Sequence, residues 1–514
     1  MGEIVSGERR ISTAELWESA RRAATGLAAL GLGKGDTVAL YLRNDLPFFE
    51  ASYAAGLLGA YATPVNWHCT EDEARYLFEN SGAKAVVVHA DLLGSVRCAI
   101  PPGVAVLVVE TPPEIADAYG VHAERRAAPV DLPVWSAWLK GFEPFVGEGE
   151  AAPGAIIYTS GTTGRPKGVK RDPPTPEQRA QARRTQVLGF GFPEDPGAAD
   201  QIVTVVTGPM YHSAPNAYGL AAARIGARVI LQPRFDPESL LSLIEVERVT
   251  HLHVVPIMFN RLLRLPLDLR ARYDLSSLKF VVHAAAPCSV AVKRAMIDWW
   301  GPVINEYYGA TETGLVVFCN TAEWLAHPGT VGRPVPGADV KVIDANGRAL
   351  GPREVGEIVA RITEGPDFTY HGDDEKRRAA EKAGLIAPGD VGYFDEDGFL
   401  YLCDRAKDMI ISGGVNIYPA EIEAELVKMP GVADCAVFGI PDDEYGEAVC
   451  AVVQPLAGLA LSEGDVRAYL QGCMAGYKVP KQVEFAADLP REDSGKIFKR
   501  KLREPFWAGH DRRI

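Results

Sequence analysis

Directly after the apolar residues Ile156 and Ile157, the chain reads Tyr158-Thr159-Ser160-Gly161-Thr162-Thr163-Gly164-Arg165-Pro166-Lys167-Gly168. Glycines let main-chain N–H groups approach an anion, and hydroxyls and an ammonium add further donors. A run holding Gly161, Gly164 and Gly168, the hydroxyls of Thr159, Ser160, Thr162 and Thr163, and the cations Arg165 and Lys167 therefore has a phosphate-gripping composition. It is not the Walker pattern. Pro166 stands where that pattern wants glycine, and Gly168 follows Lys167 where Ser or Thr is required, which excludes P-loop kinases and GTPases.

Further along come Pro209-Met210-Tyr211-His212-Ser213, Ala284-Ala285-Ala286-Pro287, Tyr307-Tyr308-Gly309-Ala310-Thr311-Glu312 and Gly389-Asp390-Val391-Gly392. Asp404-Arg405-Ala406-Lys407-Asp408, Ser412-Gly413-Gly414-Val415-Asn416-Ile417 and Pro490-Arg491-Glu492-Asp493-Ser494-Gly495-Lys496 complete the series. As residue types they offer flat rings, hydroxyl donors and carboxylate acceptors. Taken alone, YYGATE is an ordinary strand-to-turn junction and Lys496 one cation in a basic tail; their order after the loop is what carries meaning.

In that order the segments closely resemble the adenylate-forming superfamily: acyl-CoA synthetases, firefly-type luciferases and the adenylation domains of peptide synthetases. The resemblance runs over nearly the whole chain and is nearest to AMP-forming acid–CoA ligases of fatty-acid and bile-acid type. It implies that Tyr308 stacks on adenine, with Tyr307, Gly309, Ala285, Ala286 and Pro287 lining the nucleotide. Thr311 would meet the phosphates, Glu312 would help hold Mg²⁺, and Asp390 and Arg405 would contact the ribose. Lys407 is the implied hinge, Ser412-Gly413-Gly414 flanks the thiol tunnel, and Lys496 bridges the acid's carboxylate and the α-phosphate. His212, Ala284 and Gly309 would border the acid, the methyl groups of Ala284 and Ala285 narrowing its channel. His251, His253 and His283 are read as structural.

The implied function is an ATP-dependent acid–CoA ligase with ATP, Mg²⁺ and coenzyme A as cofactors and a carboxylic acid as partner. Residues 212–218, 255–259, 283–285 and 309–316 supply pocket walls that are mainly apolar, without an arginine aimed at a second carboxylate. The acid is therefore expected to be a fatty, aromatic or polycyclic monocarboxylate. Three alternatives share parts of the pattern: an adenylating enzyme that loads a carrier protein, a luciferase-like oxygenase, and a catalytically silent nucleotide-binding paralogue. The intact Lys496, Glu312 and Asp390 oppose the last, and residues 210–216 lack the acidic side chain that would take an α-amino group.

These residues need a scaffold. Short β-rich runs at residues 36–42, 84–89, 104–110, 156–159, 202–206, 229–232, 251–255 and 279–283 alternate with helical patterns at 46–59, 237–247 and 290–300. Near-continuous apolar strands separated by helices predict parallel sheets covered on both faces. Residues 51–65 read as a packed core helix, and residues 165–184, rich in Pro and Arg, as a long surface loop. After about residue 330 short alternating strands appear (339–343, 356–361), and Asp397-Gly398 marks a hairpin within 393–403. A helix at 419–429, strands at 433–439 and 448–454 and a helix at 462–473 follow. The expected fold is α/β: a large N-terminal domain (1–404) of layered α/β subdomains with a β-rich part at 330–404, then a small mobile α+β C-terminal domain (405–514).

The 514 residues carry a formal charge of -14, which argues against nucleic acid, because counterion release needs clustered cations. The basic run Arg491–Arg503 is either a solvated tail or a landing site for phosphates. Eight scattered cysteines without a C-x-x-C pair fit neither a zinc site nor a disulfide framework, so the cytoplasm is the expected home. The start lacks the apolar core of a signal peptide, and no segment reads as transmembrane. The oligomeric state stays open, a homodimer included.

Overall fold

The computed structural model describes residues 2–147, 149, 152–159, 166–405, 408–412, 415–442, 444–491 and 497–508, with main chain only at 196, 197, 404, 405 and 416. Ser160, Gly161, Thr162, Thr163, Gly164, Lys407, Gly413, Gly414 and Lys496, and the Arg405 side chain, lie outside the described residues.

Apolar β-branched runs pair where they can be buried on both faces, and here they build two parallel sheets. The first orders its strands Tyr61–Pro64, Thr37–Tyr41, Ala83–His89 and Ala105–Val109. The second has nine strands, of which Ile304–Ala310, Phe280–His283, His251–Val254, Val203–Val206, Arg228–Leu231 and Glu3–Ser6 are mutually parallel; antiparallel strands close both edges. Helices Ser213–Ile225, Pro237–Glu247, Pro256–Leu263 and Val290–Trp300 connect and cover them. One apolar cluster runs from Leu16 and Ala20 through Phe48 and Ala55 to Val206 and Tyr218, so the sheets share a core.

Three further sheets are mainly antiparallel. A three-stranded sheet orders Phe368–Tyr370, Lys167–Arg171 and Ile157–Thr159. A six-stranded sheet contains Ala338–Ile343, Gly356–Ile362, Asp390–Phe394 and Leu400–Arg405, the last two joined through the Asp397-Gly398 turn. The fifth, from Ile410–Ser412 to Gln482–Phe485, is covered by Pro419–Leu426 and Glu463–Cys473 and has its own core of Ile422, Leu426, Val437, Val449, Val453, Val466 and Leu470. No helix among the described residues is long and apolar enough to cross a membrane.

Two expectations are corrected. Residues 51–65 are not one helix: the helix spans Leu46–Leu57, Gly59 turns the chain at φ +66°, and Tyr61–Pro64 is a strand paired with Thr37–Leu40. Apolar residues alone do not separate a buried helix from a buried strand. The stretch 165–184 is not one loop among its described residues. Lys167–Arg171 is a strand, and Pro176–Phe190 is a helix with a reciprocal Thr175/Gln178 cap and Pro at its first position.

Candidate active site

The Ile157–Thr159 and Lys167–Arg171 strands pair antiparallel, Tyr158 opposite Gly168 and Thr159 opposite Lys167. These two strands form a β-hairpin, and Thr159 and Lys167 stand together at its mouth. Phe368–Tyr370 adds a third strand, Tyr370 opposite Val169. Side chains alternate across a strand and pair across a ladder, so Lys167, Arg171 and Tyr370 share one face. The Lys167 ammonium lies 4.8 Å from the Tyr370 ring centroid. The Tyr370 hydroxyl donates to Glu312 Oε1 at 2.9 Å, and burial beside that carboxylate pushes its pKa up. Arg171 Nη2 donates to the carbonyls of Thr311 (2.6 Å) and Glu312 (2.9 Å). Burial pulls its pKa down, opposed by the nearby Glu312 and Asp367.

Thr159 and Lys167 on one side, and Thr311 and Glu312 on the other, are therefore brought together through two residues that the sequence did not single out. Arg171 had no local sign, because its strand already carries Lys167 and Lys170. Tyr370 had only the short aromatic alternation Phe368-Thr369-Tyr370.

The second constellation is built on the Ile304–Ala310 strand. The Tyr308 hydroxyl donates to Asp390 Oδ2 at 2.8 Å, joining two residues far apart in sequence. Asp390 pairs with Arg405 across the Asp390–Phe394 and Leu400–Arg405 ladder, which places the Arg405 main chain beside it. Gly309 sits at a register shift in the hairpin with Gly314–Cys319, where a Cβ would fall 2.0 Å from the Gly314 carbonyl oxygen. Only glycine permits that approach.

Ala284, Ala285, Ala286 and Pro287 follow the Phe280–His283 strand; Ala284 is buried, while Ala285 is exposed and held at φ +72°. A left-handed alanine costs about 1–2 kcal/mol. His212 stands at the N-terminus of Ser213–Ile225, its ring 4.4 Å from that of Tyr211. The loop before it is held by Asn44, which donates to the Gly208 carbonyl (2.8 Å) and accepts from Met210 N–H (2.8 Å). His251 and His253 lie in the sheet as expected, His251 bonded to the Gly191 carbonyl (3.0 Å) and His253 to the Tyr307 hydroxyl (3.0 Å). Ser412 pairs with Val415 across the Ile410–Ser412 and Val415–Ile417 strands, and Arg491 forms an isolated antiparallel bridge with Ile497.

A hydroxyl- and glycine-rich hairpin whose mouth is tied to one carboxylate, beside a tyrosine tied to another, suits a phosphorylated nucleoside. The chain belongs to the AMP-binding enzyme family, which matches residues 3–365, with the AMP-binding enzyme C-terminal domain matching residues 421–496. It is 34% identical to a feruloyl-CoA synthase of Amycolatopsis over 97% of this chain and 95% of that one. A long-chain-fatty-acid–CoA ligase of Mycobacterium tuberculosis is 32% identical, over 98% and 94%. Among solved structures, ATP-bound MatB from Rhodopseudomonas palustris superposes with a TM-score of 0.80 at 28% identity, covering 99% of this chain and 96% of that one.

Proposed function

We propose that the chain is an ATP-dependent acid–CoA ligase acting on a monocarboxylic acid of fatty, aromatic or polycyclic type. The observation that carries it is the meeting of the Thr159/Lys167 hairpin mouth with Thr311 and Glu312 through Tyr370 and Arg171. In the first half-reaction a carboxylate oxygen attacks the α-phosphorus of ATP, the bond to the β-phosphate oxygen breaks, and pyrophosphate leaves. In the second the CoA thiolate attacks the acyl carbonyl, the bond to AMP breaks, and AMP leaves with the electron pair.

Within this reading Lys167 and the hairpin connection grip phosphate, and Tyr308, Asp390 and Arg405 hold the nucleoside. His212, Ala284 and Gly309 border the acid, and Lys496 offsets the repulsion between two anions. Glu312, with its carboxylate fixed by Tyr370, has the hard oxygen that Mg²⁺ takes alongside phosphates, and the ion would neutralise charge there. A division into residues 1–404 and 405–514 is supported by the separate core of the last sheet and by family matches on either side, and on this reading the second part turns about Lys407. A cytoplasmic setting accords with eight free cysteines.

The test is release of pyrophosphate, and of AMP once CoA is added, by purified protein given ATP, Mg²⁺ and a broad acid panel. Silence toward every acid refutes the ligase. Lys496→Ala is expected to lose adenylation while largely keeping thioester formation from supplied acyl-AMP; equal loss of both removes the role given to Lys496.

A further inference from the structure

Four rings close on themselves between the second sheet and the helices covering it. Phe190 ends the Pro176–Phe190 helix, Tyr218 lies in Ser213–Ile225, His253 in His251–Val254 and Tyr307 in Ile304–Ala310. Their centroids are 5.2 Å apart for Phe190–Tyr218, 5.5 Å for Tyr218–His253, 5.8 Å for His253–Tyr307 and 6.3 Å for Tyr307–Phe190. Rings at these separations are in contact and leave no passage for a methylene chain between neighbours. The parallel register explains why they converge. His253 is level with Val282, and Val282 with Asn305, so Tyr307, two residues past Asn305, projects from the same sheet face.

The circuit lies below the place assigned to the acid. His212 begins the Ser213–Ile225 helix and Tyr218 is six residues further in, about 9 Å along the axis. Phe190, Tyr218 and His253 are buried, whereas Tyr307 is partly accessible, the one residue of the four with surface to offer. The circuit is also polar at two points. His253 Nε2 and the Tyr307 hydroxyl are 3.0 Å apart, and the Tyr218 and Thr204 hydroxyls 2.9 Å. Burial lowers the His253 pKa to about 4, so the ring is neutral at pH 7, and burial raises that of Tyr307, which stays a phenol.

Resting on the ligase reading above, we infer that Tyr307, backed by His253, forms the floor of the acid pocket and selects a compact ring-bearing acid with an oxygen substituent remote from its carboxylate. A neutral imidazole–phenol pair satisfies such a substituent, and an unsubstituted ring leaves a buried polar group with one contact fewer. A long unbranched chain overruns the depth between His212 and the circuit.

The experiment measures kcat/KM for CoA-dependent AMP release with 4-hydroxycinnamic, cinnamic and palmitic acids. It uses the wild type, Tyr307→Phe, which keeps the ring, and Tyr307→Ala. Expected are at least a tenfold preference of the wild type for 4-hydroxycinnamate over palmitate and over threefold for it over cinnamate. Tyr307→Phe should abolish the second preference, and Tyr307→Ala should narrow the first by tenfold or more. A wild type that uses palmitate as well as the aryl acids overturns the inference and leaves the ligase standing, as do preferences that neither variant alters. Absence of AMP release with these three and every other acid tried refutes both.

Discussion

Replacing Arg171 by Met separates two roles that a charged residue in a strand can have. The guanidinium reaches the carbonyl oxygens of Thr311 and Glu312 at 2.6 and 2.9 Å, and so holds the turn that presents the Glu312 carboxylate. Hydrogen bonds from charged groups contribute about 1.5–3 kcal/mol each, but removing the cation also removes the cost of desolvating it. Net stability should therefore change by no more than about 1 kcal/mol, seen as a small shift in the urea midpoint. The turn, however, loses its tether. If about 2–3 kcal/mol of it acts in the adenylation transition state, pyrophosphate release falls roughly 30- to 150-fold, at about 1.4 kcal/mol per tenfold. A merely structural residue would lower all steps together. Here the Mg²⁺ concentration for half-maximal pyrophosphate release should rise, while thioester formation from supplied acyl-AMP is largely kept. Arg171→Lys, which keeps the charge but not the planar guanidinium, should fall between. An adenylation rate within threefold of wild type, or equal loss in both half-reactions, refutes the argument.

Three further outcomes are expected. Tyr308→Phe removes the donor to Asp390 and keeps the ring; one hydrogen bond of about 1 kcal/mol predicts a roughly fivefold higher KM for ATP with kcat little changed, and an unaltered ATP titration removes the pairing from function. Lys293, fully buried, is 2.6 Å from Glu306, a carboxyl whose pKa burial raises against the pull of that lysine. Lys293→Met should destabilise by about 3 kcal/mol in urea unfolding, and adding Glu306→Gln should recover most of it; a double variant no better than the single contradicts the pairing. The His251 pKa is lowered by burial from 6.5 to about 4. Below about pH 6.5 the unfolded chain therefore takes up a proton that the folded one refuses, so stability is flat above that pH and falls as pH drops toward 4. His251→Gln, still able to donate to the Gly191 carbonyl, should shrink the stability lost between pH 7.5 and 5 by about 2 kcal/mol; an unchanged loss places the acid sensitivity elsewhere.

How much of this is legible in the chain depends on whether the signal is local. The helices Pro237–Glu247 and Val290–Trp300 fall where periodicity and punctuation place them. The Pro176–Phe190 helix hides because, within it, only Gln181, Gly189 and Phe190 are buried, so it has no apolar stripe; its sole sign was the Thr175-Pro176 start with Gln178. Thr159, Lys167, Tyr308, Glu312 and Asp390 could be named because each sits in a short motif. Arg171 and Tyr370 could not, because their meeting with Glu312 is made by pairing two strands nearly two hundred residues apart. Strand partnership at that separation leaves no local trace.

The same limit hides the division of labour within YYGATE. Neighbouring residues on a strand point to opposite faces, so Tyr308 reaches Asp390 while Tyr307 reaches His253. On the ligase reading, one strand then sets both the nucleoside and the far end of the acid, and their separation is fixed by the pleat and not by any loop. Glycine at 309 is what lets this strand close against Gly314–Cys319 immediately beyond both tyrosines. A side chain at 309 would push that hairpin apart and shift the two tyrosines together. Loss of nucleotide binding and loss of acid selection should therefore arise jointly from a change at Gly309, although each can be altered separately at Tyr308 and Tyr307.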